Sequence, residues 1–211
     1  MFELEYKGAN CVIITAKKAK LVIDPKLSLV GLKDISAKDA VELATEARFS
    51  TDNQESRLSI EGPGEYGIAG FDIKGIACQR HLDGEDKEKL STIYKIEIGE
   101  LRVGLIGNIY EKLTDEQLEE LGLIDILIIP VGGNGYTLDA TGAANLVRMI
   151  DPKIVIPVHY ADSTIKYEVP QDDIKLFIAE LGAPVEKVSK FKLKQLPISQ
   201  PTLSIVEVER S

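Results

Sequence analysis

Apolar and polar residues alternate along Phe2–Tyr6, where Glu3 and Glu5 separate Phe, Leu and Tyr. This period of two predicts a strand. Gly8-Ala9-Asn10 breaks it, Cys11–Thr15 begins a second strand, and Leu21–Ile23 runs as a third into Asp24-Pro25. Short strands with polar turns between them make a meander. Residues 26–38 read as loop, 39–47 is open between helix and strand, and 50–57 is a polar loop. A second β-rich half begins at Leu58–Ile60. Gly62–Gly67 reads as a sharp turn, and strands are predicted at Phe71–Cys78, Thr92–Ile98 and Arg102–Ile106. Gly99-Glu100 suits a hairpin turn, and 83–89 is a charged loop.

Helical signals come later. Thr114 fits an N-cap with Gln117 at the capping-box position, so a short helix runs to Leu121 and stops at Gly122. Two apolar strands, Ile124–Pro130 and Ile154–Val158, flank a helix at Thr141–Ile150 that Asp139 caps and Asp151-Pro152 ends. Val169-Pro170 opens a helix through Leu181, and strands at Lys190–Leu196 and Thr202–Val208 close the chain. Two sheets face to face with helices outside is the economical α/β arrangement, in one domain spanning 1–211.

Charge and composition narrow the functions. The 25 Lys and Arg against 34 Asp and Glu give a net charge of −9, which argues against broad nucleic-acid affinity. The run Lys187, Lys190, Lys192, Lys194 reads as a solvated edge strand. Cys11 and Cys78 sit in apolar contexts outside any CxxC pair and read as buried thiols. The N-terminus lacks the basic start and apolar core of a signal peptide, and no run of eighteen apolar residues exists. The cytoplasm is the expected compartment, and no membrane partner is expected.

Candidate chemistry collects at strand ends, where α/β folds place ligands. Gly132-Gly133-Asn134-Gly135 ends one apolar strand and could cradle an anion, although no Gly-Lys-Ser/Thr follows as in a P-loop. His159 stands just past the other strand. Glu65 and Tyr66 could face a cleft from their Gly-rich turn. Ser50, His159 and Asp139 could be written as a triad, but nothing around Ser50 resembles a nucleophile elbow.

The stretches Leu21-Val-Ile-Asp-Pro, Gly62-Pro-Gly-Glu-Tyr, Leu90-Ser-Thr-Ile-Tyr and Ile126–Tyr160 together resemble the metallo-β-lactamase-fold hydrolases. The likeness is to their small branch, similar to ascorbate-6-phosphate lactonase, and runs over residues 1–180. It implies a four-layer αβ/βα sandwich with mixed, mostly antiparallel sheets. It also implies a zinc, manganese or iron site held by a His-x-His-x-Asp-His cluster, a further histidine, a bridging aspartate and a last histidine. In the best register the cluster falls on Thr45, Ala47, Phe49 and Ser50, and the bridging aspartate on Asn108. The chain has two histidines, His81 and His159. The resemblance thus yields a degenerate pseudo-hydrolase with no catalytic residue and no cofactor. Its pocket would comprise Thr45, Ala47, Phe49, Ser50, Asn108, Gly133, Asn134 and His159, and would bind a small ligand or a protein; the resemblance also implies a homo-oligomer. The alternative is an active hydrolase of phosphorylated or cyclic esters. That enzyme would hold zinc or manganese at His81 and His159, with a carboxylate from Glu46 or Asp52.

Overall fold

The computed structural model describes the chain except residues 1, 52, 84–90 and 194–201. The continuous apolar run at 126–130 shows how the layers form. Ile126 and Ile128 point into the core between two sheets, while Leu127 and Ile129 point to a second core under the helices. A strand buried on both faces needs no polar alternation. The strand at 154–158 repeats this, with Ile154, Ile156 and Val158 on the inter-sheet side and Val155 under the helices.

One sheet has six strands: β1 (Phe2–Gly8), β2 (Cys11–Ala16), β3 (Ala19–Ile23), β4 (Val41–Leu43), β5 (Leu58–Ile60) and β13 (Phe191–Leu193). Their order is β13-β1-β2-β3-β4-β5. The other has eight: β6 (Gly64–Ile68), β7 (Phe71–Cys78), β8 (Ser91–Ile98), β9 (Leu101–Leu105), β10 (Ile126–Pro130), β11 (Ile154–Val158), β12 (Val185–Val188) and β14 (Ser204–Val208). Their order is β12-β14-β11-β10-β9-β8-β7-β6. Helices α1 (Asp115–Leu121), α2 (Ala140–Ile150) and α3 (Ile174–Leu181) cover the outer face of the larger sheet. The outer face of the smaller sheet is covered more thinly. There Cys11 packs on Leu27 of a single 3₁₀ turn, with Val30, Leu32, Ile35 and Tyr167 around them.

Among the described residues the named strands make six antiparallel and six parallel pairings. The sheets are mixed as expected, and mostly antiparallel by paired length, because the antiparallel pairings are the longer ones. The open segment at 39–47 resolves to β4 and then a 3₁₀ turn at Ala47–Phe49. β4 is buried on every residue between β3 and β5, so sheet pairing overrides its helical composition. The turn expected at 62–67 is instead largely the edge strand β6, paired along β7 from Gly64↔Gly75 to Ile68↔Phe71. Glu65 and Tyr66 therefore belong to that strand. α3 starts at Ile174 with Asp173 as its cap, later than Val169-Pro170 suggests. The charged loop lies almost entirely outside the described residues, as do Asp52, Lys194 and the end of the strand expected at 190–196.

The capping box of α1 forms as expected. Thr114 Oγ1 accepts from the Gln117 amide at 3.2 Å, and Gln117 Oε1 accepts from the Thr114 amide at 2.9 Å. Gln117 Nε2 also donates to the Ala77 carbonyl and to Cys78 Sγ, which ties the helix to β7. Thr114→Ala should cost about 1 kcal/mol, read as a lower urea midpoint at unchanged slope. Gln117→Ala should cost more, because it also releases the part-buried Ala77 carbonyl.

Candidate functional site

Strand ends from both sheets meet at one edge of the sandwich. In the larger sheet β9, β10 and β11 run parallel, and Pro130 pairs with Val158. The residues that follow these strands, Ile106–Asn108, Val131–Gly132 and His159, are therefore delivered side by side. In the smaller sheet parallel β3 and β4 deliver Asp24 and Thr45, and the β1–β2 turn delivers Ala9 and Asn10. Backbone bonds join the two sets. The His159 amide donates to the Ala9 carbonyl at 2.9 Å, and the Thr92 amide to the Thr45 carbonyl at 2.8 Å.

His159 is 2% exposed and adopts φ 51°, a left-handed conformation that costs a non-glycine residue roughly 1–3 kcal/mol. Its carbonyl crowds Gly132, where a Cβ would come within 2.2 Å of that oxygen, so only glycine fits there. The imidazole lies between two tyrosine rings. Tyr167 stacks on it at 4.9 Å and 25°, and Tyr136 is tilted against it at 5.3 Å and 37°. An amide relay holds its inner nitrogen: Nδ1 lies 3.1 Å from Asn10 Oδ1, and Asn10 Nδ2 donates to Asn108 Oδ1 at 3.0 Å. Burial, and then the charge of Arg48, lower the pKa of His159 to about 3, so the ring is neutral at neutral pH.

A cavity of about 230 Å³ opens beside this ring. Phe49, Leu27, Leu29 and Val30 form apolar wall, and Lys26, Arg48, Glu168 and Gln171 add charge and polarity. Arg48 reaches across the Phe49 ring at 4.7 Å and the Tyr136 ring at 5.5 Å, and its Nε donates to Glu46 at 2.9 Å. Arg80 also pairs with Glu46 at 3.5 Å. Asp24 is buried at the cavity floor, where its two oxygens accept from the Thr45 amide and hydroxyl, each at 2.7 Å. Burial outweighs those bonds and raises its pKa to about 7.

Of the residues expected to form a pocket, Phe49 and His159 line this cavity. Thr45 and Asn108 are buried just behind it, engaged with Asp24 and Asn10. Ser50 turns away and donates to Glu42 at 3.0 Å. Ala47 is exposed. Gly133 closes a turn on the Leu138 carbonyl, and exposed Asn134 donates to the Gly132 carbonyl. Asp139 caps α2 through the Gly142 amide at 2.7 Å. His81 starts a 3₁₀ turn, and its amide donates to the Asn108 carbonyl at 2.9 Å. It does not line the cavity. Asn10, Tyr136, Tyr167 and Gln171 were missing from the expected site. Asn10 reads from sequence only as a strand breaker, Tyr136 follows the Gly132–Gly135 turn without standing out from it, and no motif marks Tyr167 or Gln171.

Buried polar atoms in this region without a protein hydrogen-bond partner include His159 Nε2, His81 Nδ1, Asn108 Nδ2 and Gln171 Oε1. Two such imidazole nitrogens are chemically suited to a metal ion, but catalytic zinc takes three protein ligands. Among the described residues no three His, Cys, Asp or Glu side chains gather into such a site. Glu46 is held by two arginines and Asp24 by Thr45. The described residues thus fall short of a full ligand set, and no reaction step is derived through a metal.

A UPF0173 metal-dependent hydrolase from Natranaerobius thermophilus is 25% identical over 199 residues, covering 81% of this chain and 87% of that protein. A UPF0173 protein from Pyrococcus furiosus is 39% identical over 67 residues, a match that spans only 32% of this chain and 30% of its own length. A Thermotoga maritima structure assigned to the metallo-β-lactamase superfamily superposes with TM-score 0.74 at 21% identity, covering 99% of this chain and all of that one. A metallo hydrolase from Ignicoccus hospitalis superposes at 0.67 and 17%, covering 92% and 99%. These relatives overturn the expectation of an inactive pseudo-hydrolase without a cofactor. Proteins alike over four-fifths of the chain are named metal-dependent hydrolases, and substitutions at the expected cluster did not outweigh that. No helix among the described residues is long and apolar enough to cross a membrane. The β-lactamase superfamily domain matches residues 3–159, well over half the chain, and the chain therefore belongs to that superfamily.

Proposed function

We propose that this chain is a metal-dependent hydrolase that acts on phosphorylated or cyclic esters in the cavity beside His159, as in the ascorbate-6-phosphate-lactonase-like branch. The observation that carries the proposal is the buried, neutral imidazole of His159, oriented on three sides and left with an unpaired Nε2. Holding a polar ring in a left-handed backbone conformation, without satisfying one of its nitrogens, costs stability that packing alone would not require. The relatives' metal dependence is carried over as part of the proposal. His159 and His81 are the imidazoles able to ligate.

The chain's own residues have simpler tasks. Tyr136 and Tyr167 fix the plane of the imidazole. Lys26 and Arg48 bring positive charge to the cavity and favour an anionic substrate. Phe49, Leu27 and Val30 exclude water from the reacting group, which strengthens those electrostatic contacts.

The test is turnover of bis(p-nitrophenyl) phosphate and a simple lactone by the purified protein, before and after chelation and with zinc or manganese restored. Hydrolysis that is lost on chelation and returns with either ion is expected. Turnover indifferent to chelation would remove the metal from the proposal. No turnover of either ester class with the ions present would remove the proposed substrate class.

A further inference from the structure

Which nitrogen of His159 carries the proton is set by the amide relay behind it. Asn10 Nδ2 donates to Asn108 Oδ1 at 3.0 Å, and this orientation leaves Asn10 Oδ1 facing His159 Nδ1 at 3.1 Å. A carbonyl oxygen can only accept, so Nδ1 must be the protonated nitrogen. In a neutral ring Nε2 is then a bare lone pair. All three side chains are at least nine-tenths buried, so water does not compete for these bonds. Reversing the order would require both amides to turn together and would place an unpaired N–H at Nε2. Arg48 lines the same cavity, and its charge opposes a second proton on the ring.

We infer that Asn10 is a positioning residue that locks His159 in the Nδ1–H tautomer and keeps Nε2 a bare lone pair. Its effect on turnover rests on the proposed reaction site, but the tautomer does not. A buried amide does here what a backbone carbonyl or carboxylate commonly does behind a working histidine. Asn108 is the second member of the relay, because it fixes which way Asn10 faces.

The chain has only two histidines, so side-chain nitrogen NMR on the ¹⁵N-labelled protein as purified can read the tautomer directly. The His81→Gln variant leaves a single imidazole and assigns the signals. A protonated Nδ1 and a bare Nε2 are expected for His159. Asn10→Asp keeps an acceptor and should keep the tautomer, whereas Asn10→Leu should move the ring toward the Nε2–H form. Under the proposed function Asn10→Leu should also lower kcat by about tenfold or more with a smaller change in KM, as loss of a histidine's supporting partner does. An Nε2–H ring in the wild-type protein overturns the inference, as does a tautomer unchanged in Asn10→Leu. If Asn10→Leu fails to fold, the wild-type and Asn10→Asp spectra still decide it. A correct tautomer with no turnover of any ester would count against the proposed function and leave this inference standing.

Discussion

His159→Asn should lose activity by about three orders of magnitude while the protein stays folded. The proposed reaction rests on this ring, and loss of a single catalytic group costs roughly 10²–10⁴-fold. Asparagine is chosen because it tolerates the left-handed conformation that His159 adopts at φ 51°, which alanine would make more costly. The bond from the residue 159 amide to the Ala9 carbonyl is a backbone bond and survives the change. What disappears is the imidazole between Tyr136 and Tyr167, with its unpaired Nε2. The measurement is kcat/KM beside far-ultraviolet circular dichroism and Tm. A variant that folds and keeps activity within a few-fold of wild type would show that the reaction happens elsewhere. His81→Gln makes the matching comparison. His81 does not line the cavity, so a comparable loss there would mean that its Nδ1 reaches the same reacting group.

The buried strands were the most legible part of this chain. The runs at 126–130 and 154–158 have nowhere to go but a sheet covered on both faces, and the capping box at Thr114 and Gln117 acts through neighbours three residues apart. Segments left open or misread lie where long-range pairing decides. Val41–Leu43 carries helix-compatible residues but is held between two parallel neighbours. Gly64–Ile68 carries turn-like glycines but lies along β7. The site shows the same division. His159 announces itself as a polar residue at the end of an apolar strand. Asn10 does not, because its importance lies in facing a histidine 149 residues away. The residues at 45–50, Asn108 and the scarcity of histidines imply an inactive site, whereas similarity spread along the chain to proteins named metal-dependent hydrolases points the other way.

The dependence of stability on pH should contain two opposing contributions that single variants separate. Asp24 has its pKa raised to about 7 from the ordinary 3.8, so between about pH 4 and 7 the folded protein holds a proton that the unfolded chain has released. That group makes stability fall as pH rises through the window. His159 has its pKa lowered to about 3 from 6.5, so between about pH 3 and 6.5 the unfolded chain holds the extra proton. That group makes stability rise with pH, and its contribution is lost on acidification. Each slope is about 1.4 kcal/mol per pH unit, and the two nearly cancel between pH 4 and 6.5. Asp24→Asn keeps an oxygen for the Thr45 amide, and Thr45 Oγ1 can accept from the new amide, so the fold should survive. Relative to wild type, Asp24→Asn should gain stability steadily from pH 4 to 7, by about 4 kcal/mol over the window. His159→Asn should show the opposite trend, losing stability relative to wild type as pH rises from 4 to 6.5. Urea midpoints at half-unit pH steps measure both differences. A difference between wild type and Asp24→Asn that stays flat with pH would mean that the aspartate is ionised in the folded protein throughout, held so by Thr45 and nearby cations. The cavity floor would then carry a full negative charge beside His159 at neutral pH, and an anionic substrate would have to overcome it.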